Sequence, residues 1–274
     1  MPFFETSDHL RLYYTDEGTG VPVLCLPGLT RTTADFDYVT PHLTNTRLIK
    51  MDYRGRGKSD WDINWRNYNL MRESQDVIEL LDHLGLEKVA VLGTSRGGLL
   101  AMGLAVGAKE RLAGVALNDI GPVIDAEGLQ HIMGYLGRRP GAKNHTEAAH
   151  ALERSLTGFV DVPFSRWMEE AMKHFIRKGD GLDITYDPNL RLAVEEQGAQ
   201  AAPDLWPFFD AMEGLPLACV RGENSDLFSN ETLLEMQRRR PDMISTTVMA
   251  RGHIPYLDEP EAVATLQTWV EKLV

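Results

Sequence analysis

Residues Gly93-Thr94-Ser95-Arg96-Gly97 stand between the apolar run VAVL and the helical run LLAMGLAVGA. A serine on a tight strand-to-helix turn projects its hydroxyl above the sheet edge. The glycines flanking it permit both a strained backbone and close packing of helix on strand. The same turn sets the hydroxyl at the positive end of a helix, where the amide of Arg96 points at the place an oxyanion would form. Such residues suit nucleophilic attack on a carbonyl carbon. The plainer alternative is a serine that only caps a buried helix.

A serine hydroxyl is a weak nucleophile until a base takes its proton, and that base must be held in one tautomer by an acid. His253, in ARGHIPYLDEP, follows the strand-like MISTTVMA and precedes the last helix, as the base should. Asp226, in RGENSDLF after the run LPLACV, is the expected acid, giving the chain order Ser95, Asp226, His253. The other histidines, His42, His83 and His150 among them, lie away from strand ends and read as surface or packing residues. A relay of this kind implies turnover that rises with pH through one ionisation, because only a neutral imidazole accepts a proton.

The elements that must position these residues are legible as near-continuous apolar runs at 21–28, 47–55, 88–95 and 112–120. Runs of that kind, separated by helices, are what a parallel sheet covered on both faces requires. Leu70, Val77, Ile78, Leu81 and Leu84 recur at helical spacing after an Asn69 cap and before Gly85, which predicts a crossover helix. The opening residues predict two short strands joined by a polar turn at 7–9, forming an antiparallel edge. From Gly121 to about Met212 strand signals vanish, and helical patterns broken by glycine and proline predict an inserted helical cap. Within it Phe164, Trp167, Met168, Ala171, Met172 and Phe175 fall on one helical face. The βα rhythm then resumes and closes with a helix opened by Pro260 that carries Val263, Leu266, Val270 and Leu273.

From the PGLT loop through DYRGRGKSD and GTSRGG to RGENSD and RGHIPYLDEP, the chain resembles α/β-hydrolase fold enzymes with a helical cap, over nearly its whole length. The resemblance implies an α/β fold with a mostly parallel eight-stranded sheet flanked by helices. Residues 1–121 and 213–274 would form the core and 122–212 the inserted cap. It also implies a second oxyanion amide from the loop after the third strand, which maps to Leu29 in Leu26-Pro27-Gly28-Leu29. Pro27 stands where a histidine often precedes that glycine; the Leu29 amide is retained. Some members of the family take the acid from the strand end where Asp119 stands in NDIGP. Asp226 is preferred here, because Asp119 more naturally opens the cap.

The implied chemistry is that of a serine hydrolase without metal or cofactor, cleaving a small or medium carboxylic ester through an acyl-enzyme. Cleavage of a carbon–carbon bond in a diketone or ring-fission product, or of a lactone, would use the same triad. A hydrolase-like receptor with little turnover is the alternative of another class. Relatives with an aspartate nucleophile are disfavoured by Ser95 at the elbow. The side chains of Arg31 and Arg96 are placed to meet a substrate carboxylate or keto oxygen, or to pair with acids such as Asp35 or Asp119. Trp167, Met168, Met172, Trp206 and Phe209 are expected to line an acyl pocket, or else to pack the cap internally.

Composition narrows the partners. Forty acids against 28 bases leave a net charge of −12, which opposes nucleic acid and anionic membranes and points to a small-molecule substrate. The hydrophobic share of 43% excludes a disordered chain. Cys25 and Cys219 both sit in apolar runs, so a disulfide framework is not expected and a reducing cytoplasm is. The opening residues lack the apolar stretch of a secretory signal, and the apolar stretch at 88–109 carries Arg96 in its middle and is not expected to span a membrane. Gly57-Lys58-Ser59 imitates the end of a phosphate-binding loop, but Asp52 stands where its first glycine belongs. No His-Glu-x-x-His or paired Cys-x-x-Cys occurs to hold zinc. The basic residues 238–240 end a helix, where positive charge complements the dipole.

Overall fold

The computed structural model describes residues 3–199 and 203–273. The chain opens with β1 (Phe3–Glu5) and β2 (Arg11–Gly18), then β3 (Val21–Leu26) and β4 (Thr46–Met51). Next come α1 (Leu70–His83), β5 (Val89–Thr94), α2 (Arg96–Gly107) and β6 (Leu112–Asn118). The inserted segment holds α3 (Ala126–Tyr135), α4 (His145–Ser155), α5 (Phe164–His174), β7 (Phe175–Lys178), β8 (Gly181–Ile184), α6 (Leu190–Gly198) and α7 (Trp206–Asp210). The chain closes with β9 (Leu217–Gly222), α8 (Asn230–Arg239), β10 (Ile244–Val248) and α9 (Pro260–Glu271).

Among the described residues, eight strands form one sheet in the order β1-β2-β4-β3-β5-β6-β9-β10. The first two pairings, β1 with β2 and β2 with β4, are antiparallel, and the others are parallel. The apolar runs are continuous because both faces of the sheet are covered, so alternate residues enter different cores. Leu24, Leu26, Val89, Val91, Val115, Leu117, Leu217 and Cys219 face one cluster. Val23, Cys25, Ala90, Leu92, Ala116, Ala218 and Val220 face the other, against Leu266 and Trp269 of α9. The crossover helix α1 begins where expected: the Asn69 side chain accepts from the Arg72 N–H at 2.9 Å, and Gly85 follows its end at φ +65°. The buried stripe of α9 is rotated from the expected one. It is led by Ala262, Leu266 and Trp269, while Val270 and Leu273 are only partly buried, because Trp269 fills the space beside β9 and donates to the Pro216 carbonyl at 3.1 Å.

The all-helical expectation for the inserted segment needs correction in two places. Helix α5 stops at His174, and β7 pairs antiparallel with β8 across the two-residue turn Gly179-Asp180, with Gly179 at φ +61°. A glycine there supplies the positive φ that tight hairpin turns demand. Helix α7 belongs to the core side: Phe209 is fully buried with Met212 in the cluster that contains Leu100 and Met102 of α2. The segment is stitched to the core loop at 53–60, where the Gly57 N–H donates to Thr185 O and the Asp187 N–H to Gly55 O, both at 2.8 Å. Among the described residues no helix is long and apolar enough to cross a membrane.

Candidate active site

Ser95 occupies the one-residue bend between β5 and α2 at φ 49°, ψ −111°, a backbone region that non-glycine residues avoid. The flanking glycines make the bend possible. A Cβ on Gly93 would lie 2.5 Å from the Gly97 carbonyl carbon, and one on Gly97 would lie 2.0 Å from the Leu26 carbonyl oxygen. Since both obstacles are backbone, Gly97→Ala is expected to lower the unfolding free energy by at least about 1–3 kcal/mol. Urea denaturation checks this, and a change below about 0.5 kcal/mol would contradict the contact.

The Ser95 Oγ lies 3.0 Å from His253 Nε2, and His253 Nδ1 lies 2.7 Å from Asp119 Oδ2. With a carboxylate at Nδ1, that nitrogen carries the proton and donates it, leaving Nε2 to accept from the serine hydroxyl. The three groups come from the ends of β5 and β6 and the loop after β10, so the histidine loop reaches past β9 and β6 to meet the serine. Asp119 is fully buried at φ 53°. It accepts two further hydrogen bonds, from the Ser225 Oγ at 2.6 Å and the Gly222 N–H at 2.7 Å. Three donors thus converge on its two oxygens.

The expectation that Asp226 orients the histidine is therefore corrected. Its Oδ2 lies 2.5 Å from His131 Nδ1 on α3, and its carbonyl accepts from the Gly128 N–H at 3.1 Å. In the turn after β9 it is Ser225 that points at Asp119, which turns the next side chain toward α3. Ser225 carried no sequence signal beyond its place beside Asp226. Asn118 was missed as well: its Nδ2 donates to Thr94 Oγ1 at 3.2 Å and to Pro255 O at 3.3 Å, tying the histidine loop to two strand ends.

Ser95 and His253 open into a cavity of about 380 Å³ bordered by Gly28, Leu29, Arg31, His131, Tyr135 and Leu156. A neighbouring chamber of about 370 Å³ shares Thr30, Arg31, Tyr135 and Leu156 with it. The amide of Leu29 and that of Arg96, at the first residue of α2, have no protein acceptor among the described residues. Two free amides beside a serine hydroxyl can stabilise a tetrahedral oxyanion.

The five apolar residues expected to line the acyl pocket do not border this cavity. Trp167 and Met168 pack inside the insertion against Ala148, Ala149 and Leu182. Met172 is 58% exposed, and Trp206 and Phe209 join the core beside α2. Spacing reveals which residues share a helix face, but several apolar clusters compete for such faces. Of the two arginines, Arg96 turns its side chain away from the site, its Nε donating to Glu73 Oε2 at 2.6 Å. Arg31 does border the cavity; its Nη1 is held by Glu170 at 3.1 Å, by Asp35 at 3.6 Å and by His174 Nε2.

His174 accepts from Arg31 and is therefore neutral. Burial, reinforced by the Arg31 charge, pushes it down to about 3 from the usual 6.5. Between those values the unfolded chain binds a proton that the folded chain refuses. The contribution of this group to stability is thus whole above about pH 6.5 and declines as the pH falls toward about 3, at up to about 1.4 kcal/mol per unit. His174→Gln should flatten this slope in unfolding free energies measured between about pH 6.5 and 4; an unchanged slope would assign it to another group.

The model of the Alpha/beta hydrolase family matches residues 23–266, and the chain belongs to that family. It is 35% identical over 251 residues to the 3-hydroxybutyrate-oligomer hydrolase of Cupriavidus necator, covering 88% of this chain and 85% of that protein. The crystal structure of an alpha/beta hydrolase from Novosphingobium aromaticivorans matches with a TM-score of 0.92 at 36% identity, over 98% of this chain and 97% of that one. An esterase from Exiguobacterium antarcticum shares the fold at a TM-score of 0.74 and 19% identity, over 98% of each chain. The chain is an enzyme of the α/β-hydrolase fold.

Proposed function

We propose that this enzyme hydrolyses small or medium carboxylic esters through an acyl-enzyme on Ser95. The observation that carries the reading is the unbroken relay from Ser95 Oγ through the His253 ring to Asp119, at 3.0 and 2.7 Å, at the floor of the cavity. His253 Nε2 takes the hydroxyl proton as Ser95 Oγ bonds to the ester carbon, and the carbonyl electron pair moves onto oxygen, where the Leu29 and Arg96 amides receive it. Collapse of the adduct expels the alkoxide, which leaves with the proton from His253. Water, deprotonated by the same nitrogen, then attacks the acyl carbon; the freed Ser95 oxygen recovers the proton and a carboxylic acid departs. Asp119 keeps Nδ1 protonated and stabilises the imidazolium formed in each half-reaction.

Within esters, the class favoured is short oligoesters of hydroxy acids. The chamber at Ser95 adjoins a second one across Thr30, Arg31, Tyr135 and Leu156, which together offer length for an extended chain, and a relative 35% identical is named for 3-hydroxybutyrate oligomers. The test is hydrolysis of nitrophenyl esters of graded acyl length and of 3-hydroxybutyrate dimer and trimer, with fluorophosphonate labelling of Ser95. Turnover together with one label per chain supports the reading. Labelling with activity only on a vinylogous diketone would move the enzyme to carbon–carbon cleavage, and absence of both label and turnover would favour a binding protein.

A further inference from the structure

The two residues that bear the candidate oxyanion amides lie 67 positions apart, yet one buried carboxylate reaches both. Glu73 on α1 is fully buried. Its Oε2 accepts from Arg96 Nε at 2.6 Å, and its Oε1 accepts from Arg56 Nη1 at 2.7 Å. Arg56, itself fully buried and lying near the rings of Tyr53 and Tyr68, turns its Nε to the Leu29 carbonyl at 3.1 Å and shares Nη1 with the Arg54 carbonyl at 2.7 Å. The links therefore run from Leu29 O through Arg56, Glu73 and the Arg96 side chain to the residue whose amide opens α2. Nothing in the proposed proton relay uses Glu73 or Arg56.

We propose that Glu73, acting through Arg56 and Arg96, is a positioning residue for the oxyanion hole. The inference rests on the acyl-enzyme reading of the site. Oxyanion donors are effective only if they are already aimed at the place where charge develops, and displacement of a reacting group by about 1 Å costs on the order of a hundredfold in rate. The Leu29 loop has no helix or strand of its own to hold it. Arg56 holds the carbonyl of that residue, and the Glu73 fork holds Arg56 and Arg96 in one frame. Without the carboxylate, two buried guanidinium groups would face each other unscreened, and each would drag its attached backbone toward another partner.

Glu73→Gln and Arg56→Lys test this. The second keeps a cation for Glu73 and loses the fork that reaches Leu29. The readouts are kcat, KM, the inhibition constant of an alkyl boronic acid that forms a tetrahedral adduct on Ser95, the pH profile and Tm. The expected result is a fall in kcat of about 10- to 100-fold, a matching loss of boronate affinity, KM within about threefold and an unshifted pH profile. Arg240→Gln is the control. It alters a buried arginine that donates to the Met212 and Leu215 carbonyls at 2.7 and 2.8 Å and touches neither the network nor an oxyanion residue, so it should lower Tm and leave kcat per titrated site unchanged. The inference is overturned if the Glu73 and Arg56 variants behave like that control, or if neither of them folds, since the network would then serve the fold alone. Failure of the underlying reading is separately visible in the wild-type enzyme, as absence of Ser95 labelling.

Discussion

Ser95→Ala is expected to lower kcat for ester hydrolysis by at least about 10⁴-fold while leaving a folded protein. The effect is large because the proposed acyl bond forms on this hydroxyl, and among the described residues His253 Nε2 meets no other side-chain donor. The amides of Leu29 and Arg96 stay in place, so a small residual rate above that in water should persist. Stability should hardly move, since Ser95 lies at a cavity floor and among the described residues its Oγ binds only His253. Ser95→Gly carries a further expectation. The elbow holds a non-glycine residue at φ 49°, ψ −111°, a strain worth about 1–3 kcal/mol, and glycine releases most of it. The glycine variant should therefore be inactive and more stable than the parent in urea. Turnover by Ser95→Ala near the wild-type rate would remove the serine from the chemistry altogether.

The second large effect separates two aspartates. Asp119→Asn is expected to reduce kcat by about 10³- to 10⁴-fold, because an amide no longer fixes the productive tautomer or stabilises the imidazolium. Asp226→Asn, which alters a pair with a half-exposed His131, should change kcat by less than about fivefold, with any effect falling on KM through the cavity wall. Both variants, assayed under saturating substrate and normalised to titrated active sites, decide the assignment. A large loss in Asp226→Asn with a mild one in Asp119→Asn would return the acid role to the loop after β9.

Much of the site was legible along the chain because its demands are local. The elbow needs a strand, a serine, small neighbours and a helix within a few residues, and the steric reason for each glycine is a contact with adjacent backbone. His253 was legible for a similar reason, as a histidine between a strand and a helix. The hairpin of β7 and β8 also had a local signal, the Gly179-Asp180 pair, which the strong amphipathic pattern of α5 obscured.

The candidate acid, the pocket wall and the network behind the candidate oxyanion loop were not legible, and the cause is the same for each. Asp119 and Asp226 both follow strands, and the spacing along the chain is compatible with either. The choice depends on which carboxylate lies beneath the ring once β6, β9 and β10 are side by side, and on Ser225 and Gly222 turning their donors toward Asp119. The apolar residues of α5 and α7 were recognisable as buried-face residues, but only packing sends one set into the insertion and the other against α2. Neighbouring residues can encode a bend, a cap or a strand, since those are set by backbone sterics over a few bonds. Which distant side chains share a proton, a carboxylate or a cavity is set by how the layers stack, and that information exists only after the chain has closed on itself.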